Sequence, residues 1–185
     1  MESITFFREW LKVQKSEFRI LTMLADRGEF KGTLSDICRY LSITTQTSNT
    51  NKLKVSIQLL QEQGYIECET SGRTYTLRLV PKEKKIDIPR RWADPIIHHE
   101  YSSESVAWEQ VLKVFIWIYD NRLICVQDAI LAKDLNVSVD VITSAKNVLD
   151  REFRAIIRDI EKITLDDGSK RNVGQRLAAV AEWSE

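Results

Sequence analysis

Residues 33–66 read TLSDICRYLSITTQTSNTNKLKVSIQLLQEQGYI, and their apolar residues recur twice at helical spacing. Thr33 is a favourable N-cap for a first short helix, because its hydroxyl can accept a hydrogen bond from a free backbone N–H. The polar segment from Ser42 to about Asn51 interrupts the pattern and predicts a bend. A further helix follows and stops at Gly64. The buried stripes are Leu34, Ile37, Cys38 and Leu41 in the first helix and Leu53, Ile57 and Leu60 in the second.

The flanking segments complete a small domain. Upstream, a helix capped by Ser16 is predicted to run to about Arg27 and to end at Gly28. Downstream, the period changes from helical to alternating on both sides of a turn at Ser71-Gly72, which predicts a hairpin. The residues pointing one way are Phe18, Leu21, Leu24 and Ala25 in the helix, and Ile66, Cys68, Thr70, Tyr75, Leu77 and Leu79 in the hairpin. The predicted order is helix, helix, helix, hairpin.

The second half repeats this order. A long amphipathic helix is predicted over residues 104–121, followed by a short helix over Val126 to Leu135. Ser138 is the predicted cap of a third helix through about Glu152. Strands follow over Ile156 to Leu165 and after Asp167-Gly168, and the final Leu177 to Trp183 suits either strand or helix. The stripe of the long helix is Trp108, Val111, Leu112, Phe115, Ile116 and Tyr119.

A proline-rich, basic stretch separates the two halves. All three prolines lie in it, together with several lysines and arginines: Pro81, Pro89, Pro95, Lys82, Lys84, Lys85, Arg90 and Arg91. Proline lacks a backbone donor and resists helix continuation, so residues 81–102 are predicted to be an extended connection. The expected domains are therefore 1–80 and 103–185.

Composition restricts the class of protein. Of the 185 residues, 43% are hydrophobic and 29% are charged, which is typical of a folded soluble chain. No signal-peptide pattern or membrane-spanning run is present, so we expect a cytoplasmic protein without membrane contact. The cysteines Cys38, Cys68 and Cys125 are far apart and fall in apolar segments, which predicts small core residues.

The charge is uneven although the total is zero. Residues 1–91 contain 16 Lys and Arg against 11 Asp and Glu, whereas the remainder has the reverse balance. A basic half suits a polyanion such as nucleic acid, and an acidic half suits a protein partner or a structural role.

Both halves resemble the winged helix-turn-helix family, including proteins of phages, plasmids and conjugative elements. The resemblance is carried by Leu34-Ser35-Asp36-Ile37-Cys38-Arg39-Tyr40-Leu41-Ser42-Ile43, Leu53, Ile57, Leu60 and Gln63-Gly64-Tyr65-Ile66 in the first half. In the second half it is carried by Asp128-Ala129-Ile130-Leu131-Ala132-Lys133-Asp134-Leu135-Asn136-Val137-Ser138, Val141, Ala145, Val148 and Leu149. The resemblance implies a mainly α fold with small β-hairpin wings, of α+β class, in two tandem copies. Residues Thr44 to Asn51 are an insertion relative to the compact form of the family.

The start of the DNA-reading helix in such a fold needs small polar and basic side chains, because amides and hydroxyls read base edges while Lys and Arg contact phosphates. The predicted contacts to double-stranded DNA are Thr45, Gln46, Thr47, Ser48, Asn49, Asn51, Lys52 and Lys54. Arg73 at the wing turn and Lys84 and Lys85 in the connection are predicted to contact the backbone or minor groove. The alternative for each set is an ordinary solvated surface.

The corresponding helix of the second half has a mixed face whose acids would repel phosphates; it carries Asp140, Thr143, Ser144, Lys146, Asn147, Asp150 and Arg151. We therefore expect weak DNA binding there, unless the wing residues Arg154, Arg158, Lys170 and Arg171 compensate.

Two apolar segments suggest interfaces. Val114, Trp117 and Ile118 form a second strip on the long helix, which predicts either a homodimer interface or packing against the other domain. The aromatic segment at the start is expected to dock on the first core, with a dimer contact as the alternative; it contains Phe6, Phe7, Trp10 and Leu11.

Catalytic motifs are not found in the sequence, which has no phosphate-loop, HExxH or GxSxG pattern. His98-His99, with Glu100 and Tyr101, is the nearest approach to a reactive cluster, but adjacent histidines on an extended chain point in opposite directions. We expect no enzymatic activity, no cofactor and no bound metal.

Two functional hypotheses remain. The first is a duplex-DNA-binding transcriptional regulator or mobile-element replication factor that reads DNA with its first half and dimerises or binds a partner with its second. The alternative is a phage-type protein-binding inhibitor of a host nucleoprotein such as a CRISPR nuclease (an anti-CRISPR), with winged helices as scaffold and the acidic half as the binding surface; such a protein could also bind DNA.

Overall fold

The computed structural model of the protein describes residues 2–101, 106–121 and 124–180. Helices and small antiparallel sheets alternate along these residues, so the chain is mixed α+β, as predicted. Residue contacts divide the chain into an N-terminal unit, Ser3–Asp87, and a C-terminal unit, which comprises Ile88–Glu185 and the first two residues.

The N-terminal unit contains a three-stranded antiparallel sheet against which helices pack. Its helices are a 3₁₀ turn, Arg8–Lys12, then α1 (Lys15–Arg27), α2 (Leu34–Tyr40) and α3 (Thr47–Glu62). Its strands are β1 (Ser3–Phe7), β2 (Glu29–Thr33), β3 (Ile66–Ser71), β4 (Thr74–Leu79) and β5 (Lys85–Pro89). The sheet order is β2–β4–β3, and β1 pairs separately with β5.

Helix α1 begins two residues earlier than predicted. Gln14 occupies the N-cap position, and the carbonyl of Gln14 accepts a hydrogen bond from Phe18 N at 2.9 Å. Ser16 is not the cap, because its hydroxyl donates to the Glu17 carboxylate instead. The predicted stop at Gly28 is confirmed, since this residue has φ of 82°, a conformation that glycine adopts without steric cost.

The core of the N-terminal unit surrounds α1 on more sides than its main stripe predicts. Ile20 and Met23, outside that stripe, are also buried, because α1 contacts β1, β2, β4 and α3. The aromatic segment docks on this core as expected, with the Phe6 and Phe18 rings stacked at 6.1 Å between centroids. Strand β2 was not predicted, because Phe30 is the one large apolar residue in its sequence; this side chain is buried.

The predicted cap of α2 is confirmed. Thr33 Oγ1 accepts a hydrogen bond from Asp36 N at 3.2 Å, and Thr33 N donates to the Asp36 carboxylate at 2.8 Å. These two bonds form a capping box. The hairpin of β3 and β4 also follows the prediction, with Gly72 in the turn at φ of 60°.

The C-terminal unit repeats the element order of the N-terminal unit. Its helices are α4 (Arg90–His98), α5 (Trp108–Asp120), α6 (Asp128–Leu135) and α7 (Val139–Arg151). Its strands are β6 (Ile124–Val126), β7 (Ile156–Thr164) and β8 (Lys170–Ala179), in the order β6–β8–β7. From α5 onward the order helix, strand, helix, helix, strand, strand matches that from α1 to β4.

The stretch predicted as an extended connection contains regular structure instead. Residues 85–89 form β5, which pairs with β1, and residues 90–98 form α4. Pro95 lies inside α4 and removes one backbone donor, a cost that burial of Trp92 and Ile96 offsets. The Trp92 ring stacks on Phe115 of α5 at 5.4 Å. The local proline signal was therefore overridden by packing.

Other boundaries in the C-terminal unit differ in detail. Helix α5 was predicted to begin at residue 104, but it begins at Trp108. Ala107 is the N-cap residue, and its backbone N–H donates a hydrogen bond to the Gln110 side chain. Residues 104 and 105 lie outside the described ranges. Val126 belongs to β6 and not to the next helix. Ser138 caps α7 as predicted. Leu177–Ala179 continue β8, whereas residues 181–183 are outside the described ranges.

An ion pair between a buried lysine and a half-buried aspartate links α7 to α6, and the lysine also contacts β8. Lys146 is only 1% exposed, and its ammonium group donates to the Asp128 carboxylate and to the Gln175 amide oxygen. Thr143 Oγ1 also donates to Asp128, at 3.3 Å. Because a buried ammonium group loses its hydration, these partners are needed to compensate the charge.

Removal of the α2 cap is expected to destabilise the protein. We predict that Thr33→Ala lowers the free energy of unfolding by about 1 kcal/mol, because Asp36 N loses its acceptor. Urea denaturation followed by circular dichroism measures this change. Thr45→Ala, at an exposed position, is the control and should change the free energy by less than about 0.5 kcal/mol. An equal effect of both variants would contradict the capping role.

The same cap has a pH dependence. Hydrogen bonds from Thr33 hold the pKa of Asp36 below its usual value. The stability that Asp36 contributes is therefore present above about pH 4 and is lost as the pH falls through the lowered pKa. The difference in the free energy of unfolding between wild type and Thr33→Ala should therefore become smaller as the pH falls below about 4.

The Lys146–Asp128 ion pair predicts an asymmetric mutational effect. Asp128→Ala should lower the free energy of unfolding by about 3 kcal/mol, because it leaves the buried Lys146 charge without its carboxylate. Lys146→Met removes the buried charge itself, so it should lower the free energy of unfolding by less than Asp128→Ala does. Thermal denaturation of the full chain compares them, with Arg176→Ala in the exposed Arg176–Glu161 pair as the control. A larger loss for Lys146→Met would contradict the assignment.

Candidate nucleic-acid interface

Helix α3 starts earlier than the polar bend predicted. Gln46 is the N-cap, and the carbonyl of Gln46 accepts hydrogen bonds from Asn49 N and Thr50 N, both at 3.0 Å. The actual turn between α2 and α3 is shorter and contains Ser42 at φ of 54°. Residues 47–51, predicted as part of a bend, therefore form the start of a helix.

The inner face of α3 holds the helix against the core. Leu53, Ile57 and Leu60 are buried, as predicted. Ser56 is also buried, and its hydroxyl donates to the Glu17 carboxylate of α1 at 2.8 Å. This bond and the apolar stripe fix the rotation of α3, and hence the face that it presents to solvent.

Most of the predicted DNA-contact residues lie together on the exposed start of α3. Thr45 and Gln46 precede the helix, and the exposed residues within it are Thr47, Ser48, Asn51, Lys52 and Lys54. Neither lysine forms an ion pair with any described residue. The first turn of α3, all of which is described, carries no acidic residue.

Asn49 differs from the other predicted contacts. Its side-chain amide is half-buried and donates to Thr44 O at 3.1 Å and to Thr44 Oγ1 at 2.7 Å. The Asn49 amide therefore shapes the turn before α3, and its donors are already used. The sequence pattern gave no indication of this pairing, since it depends on the conformation of the turn.

The remaining predicted contacts lie on other elements. Arg73 is exposed at the turn between β3 and β4, next to Thr74, which pairs with Thr33 at the start of α2. Lys84 and Lys85 are exposed at the start of β5. Lys82 is half-buried, with its ammonium group 5.1 Å from the centroid of the Tyr65 ring. These described residues form no hydrogen bond or ion pair with the start of α3.

The acidic residues of the adjoining sheet are partly neutralised. Arg78 donates hydrogen bonds to Glu29 at 2.8 Å and to Glu69 at 3.4 Å. The Arg78 guanidinium lowers the pKa of Glu29 below its usual value, mainly through the hydrogen bond. Both carboxylates are thus paired with Arg78, and neither forms an ion pair with the lysines of α3.

The exposed face of α3 also contains residues that the sequence analysis did not single out. Val55 is 56% exposed and Leu59 is 39% exposed, one helical turn apart. Gln58 donates to Glu62 at 2.9 Å. The sequence did contain a signal for the exposure of Val55, because Val55 is two residues from Leu53 and therefore lies off the buried stripe of the helix.

Two basic residues that the sequence analysis placed on the exposed face of the C-terminal unit are engaged internally. Lys146 was expected on the exposed face of α7, but it is buried against Asp128. Arg158 was expected on the wing; it donates to Asp150 at 2.6 Å and to Asn147 at 2.9 Å. These pairings leave fewer positive charges available to a phosphate. The negative charge of Asp140 remains exposed on the same helix.

The predicted interface strip on α5 is not on the surface. Val114, Trp117 and Ile118 are all buried within the chain. Helix α5 contacts α4, α7 and β8, so its second apolar strip is covered by elements of its own unit. The strip therefore packs within its own unit, which is neither of the two predicted alternatives. The expected core position of Cys125 is also wrong, since Cys125 is exposed in β6.

The histidine cluster is a structural contact between elements. His99 caps the end of α4, and its Nε2 lies 2.6 Å from a carboxylate oxygen of Glu152 after α7. The His99 ring packs edge-on against Tyr101 and Phe153. Tyr101 donates its hydroxyl to Ile96 O at 2.7 Å. Burial raises the pKa of the Tyr101 phenol, and the carboxylates of Glu152 and Glu109 raise it further, so this group is poorly suited to act as a nucleophile.

A shallow pocket of about 250 Å³ lies beside the ion pair of Lys146; its lining includes Asp128, Ile160, Gly174 and Gln175. Gly174 permits close packing there, because an added Cβ would lie 2.9 Å from Cys125 Sγ. The Asp128 and Gln175 side chains are already bound to Lys146. Two of the polar side chains of the pocket are therefore already engaged, and Gln127 and Asn172 also line it.

Within residues 2–101, 106–121 and 124–180, no three His, Cys, Asp or Glu side chains converge as a metal site would require. No helix in that part of the chain is both long and apolar enough to cross a membrane. The sequence matches no protein-family model, and a comparison with curated proteins finds no significant match.

Proposed function

We propose that this chain is a duplex-DNA-binding protein, without a catalytic step, whose N-terminal unit contacts the DNA. The observation that carries this proposal is the exposed start of α3, where hydroxyl, amide and ammonium groups lie together without acidic partners. Such groups suit base edges and phosphates in a major groove wide enough for one helix.

We further propose that each unit is a winged helix-turn-helix domain. This is supported by the shared order of elements, from α1 to β4 and from α5 to β8, and by the matching sheet orders β2–β4–β3 and β6–β8–β7. In such a domain α3 is the helix that enters the major groove, and the turn carrying Arg73 is the wing. Arg73 is then available to a phosphate or to the minor groove.

The roles of the two units differ in this proposal. The N-terminal unit reads DNA, because its lysines Lys52 and Lys54 are exposed and not paired. The C-terminal unit recruits a partner or dimerises through surfaces other than α5, since Lys146 and Arg158 are held by its own carboxylates. Such a protein would act as a transcriptional regulator or as a replication factor of a mobile element.

The lysines of α3 provide the first test. In fluorescence anisotropy with the full chain and a random-sequence DNA duplex, binding should weaken as salt rises between about 50 and 200 mM. Lys52→Ala/Lys54→Ala should reduce the slope of log Kobs against log salt by about two, because two phosphate contacts are lost.

The matched control removes two exposed lysines from the C-terminal unit, in Lys133→Ala/Lys162→Ala. This variant has the same net charge as the α3 variant and should retain the wild-type slope. Equal losses in both variants would show a general charge effect and contradict a site on α3. No duplex binding at low salt would contradict the proposed function altogether.

A second candidate function is favoured by the apolar surface of the C-terminal unit. Seven of the ten large hydrophobic residues found exposed lie in this unit: Ile124, Ile130, Val139, Ile157, Ile160, Ile163 and Leu165. Exposed apolar groups on a net-acidic half suit a protein partner. We propose as the alternative an anti-CRISPR type inhibitor that binds a host nucleoprotein through this unit.

The two candidates are separated by which variants abolish activity. For the alternative, DNA cleavage by a panel of CRISPR nucleases should fall when the full chain is added, and Ile157→Ser/Ile163→Ser should relieve this inhibition. Lys52→Ala/Lys54→Ala should leave it intact. If no nuclease in the panel is inhibited, the anti-CRISPR alternative loses its support.

A further inference from the structure

The amide side chains on and beside the exposed face of α3 are not equivalent. Asn49 is bound to Thr44, and Gln58 is bound to Glu62. Asn51 is exposed, and its side chain has no hydrogen-bond partner among the described residues. Asn51 is therefore an amide on this face that presents both a donor and an acceptor to an external group.

Val55 lies one helical turn after Asn51 on the same face and is 56% exposed. Residues four apart on a helix have Cβ atoms about 6 Å from one another. At about 100° per residue, Lys52 lies to one side of the Asn51–Val55 pair and Lys54 lies to the other. The face thus has a central amide and methyl pair between two ammonium groups.

The chemistry of the major groove matches this arrangement to particular bases. Adenine presents an acceptor at N7 next to a donor at N6, which one amide can bind with both of its groups. Guanine presents two acceptors and cytosine one donor, so neither complements an amide in this way. The thymine C5-methyl is the apolar group that the four bases expose in the major groove, and it suits an exposed valine.

We infer that Asn51 and Val55 determine base preference, with the Asn51 amide binding an adenine and the Val55 side chain packing on the methyl group of a neighbouring thymine. Lys52 and Lys54 contact the flanking phosphates and add affinity without sequence preference. This inference rests on the proposed function and names the class of site, which is a duplex with an A·T-containing step at the centre of the α3 contact.

The experiment uses modified bases to test each contact separately. The full chain is used to select duplexes from a library of 20-base-pair DNA with a random centre, and anisotropy is measured on the recovered duplex. In one probe 7-deazaadenine replaces adenine and removes the N7 acceptor. In the other, deoxyuridine replaces thymidine and removes only the C5-methyl group.

Wild-type protein should bind the 7-deazaadenine probe about fivefold or more weakly, whereas Asn51→Ala should bind the modified and unmodified duplexes equally. The deoxyuridine probe should weaken wild-type binding about fourfold and leave Val55→Ala unaffected. Both positions are exposed, so the variants should retain the wild-type circular dichroism spectrum. Gln61→Ala, an exposed amide elsewhere on α3, is the control and should respond to both probes as wild type does.

The outcomes distinguish this inference from the function on which it rests. Salt-dependent binding that requires Lys52 and Lys54 but is insensitive to both modified probes would overturn the base assignment and leave the DNA-binding proposal standing. Loss of the probe effects in Gln61→Ala would also overturn the assignment to Asn51 and Val55. If no duplex is bound, both proposals fail, and the exposed Val55 and Leu59 become candidates for a protein contact.

Discussion

The orientation of α3 depends on the burial of one face of that helix against α1. Leu53, Ile57 and Leu60 enter the core, and Ser56 donates a hydrogen bond to the buried Glu17 carboxylate. Burial of three aliphatic side chains stabilises this packing by several kcal/mol, at about 2 kcal/mol for each. The hydrogen bond favours one rotation of α3 over others, because any rotation that broke it would leave the buried Glu17 carboxylate without this donor. Every property of the opposite face, including which lysines reach solvent, follows from this rotation.

The two units have the same order of elements but use their charged residues differently. In the N-terminal unit the lysines of α3 face solvent without partners. In the C-terminal unit Lys146 is drawn into the core by Asp128, and Arg158 is held by Asp150. A charge engaged by a neighbouring carboxylate has less to gain from a phosphate, since the existing pair must first be broken. The shared topology therefore does not imply a shared partner, and the difference lies in which side chains remain available.

Elements that depend on local signals were predicted well, and elements that depend on distant partners were not. The cap at Thr33, the stop at Gly28 and the turn at Gly72 follow from neighbouring residues and are present as expected. Strand β2 is only five residues long and has little signal of its own, because its hydrogen bonds are completed by β4. Helix α4 is the opposite case: Pro95 argues locally against a helix, and burial of the residues around it decides otherwise.

The amino-acid sequence by itself determined the α+β class, the approximate positions of most helices and the polar, basic character of the segment from Thr45 to Lys54. These properties depend on periodicity, capping and composition, which act over a few residues. Only the tertiary structure decided that Asn49 turns back to Thr44, that Lys146 is buried and that α5 is covered on all of its apolar faces. These outcomes depend on groups brought together from separate elements, and side-chain burial is a property of the packed unit and not of the local sequence.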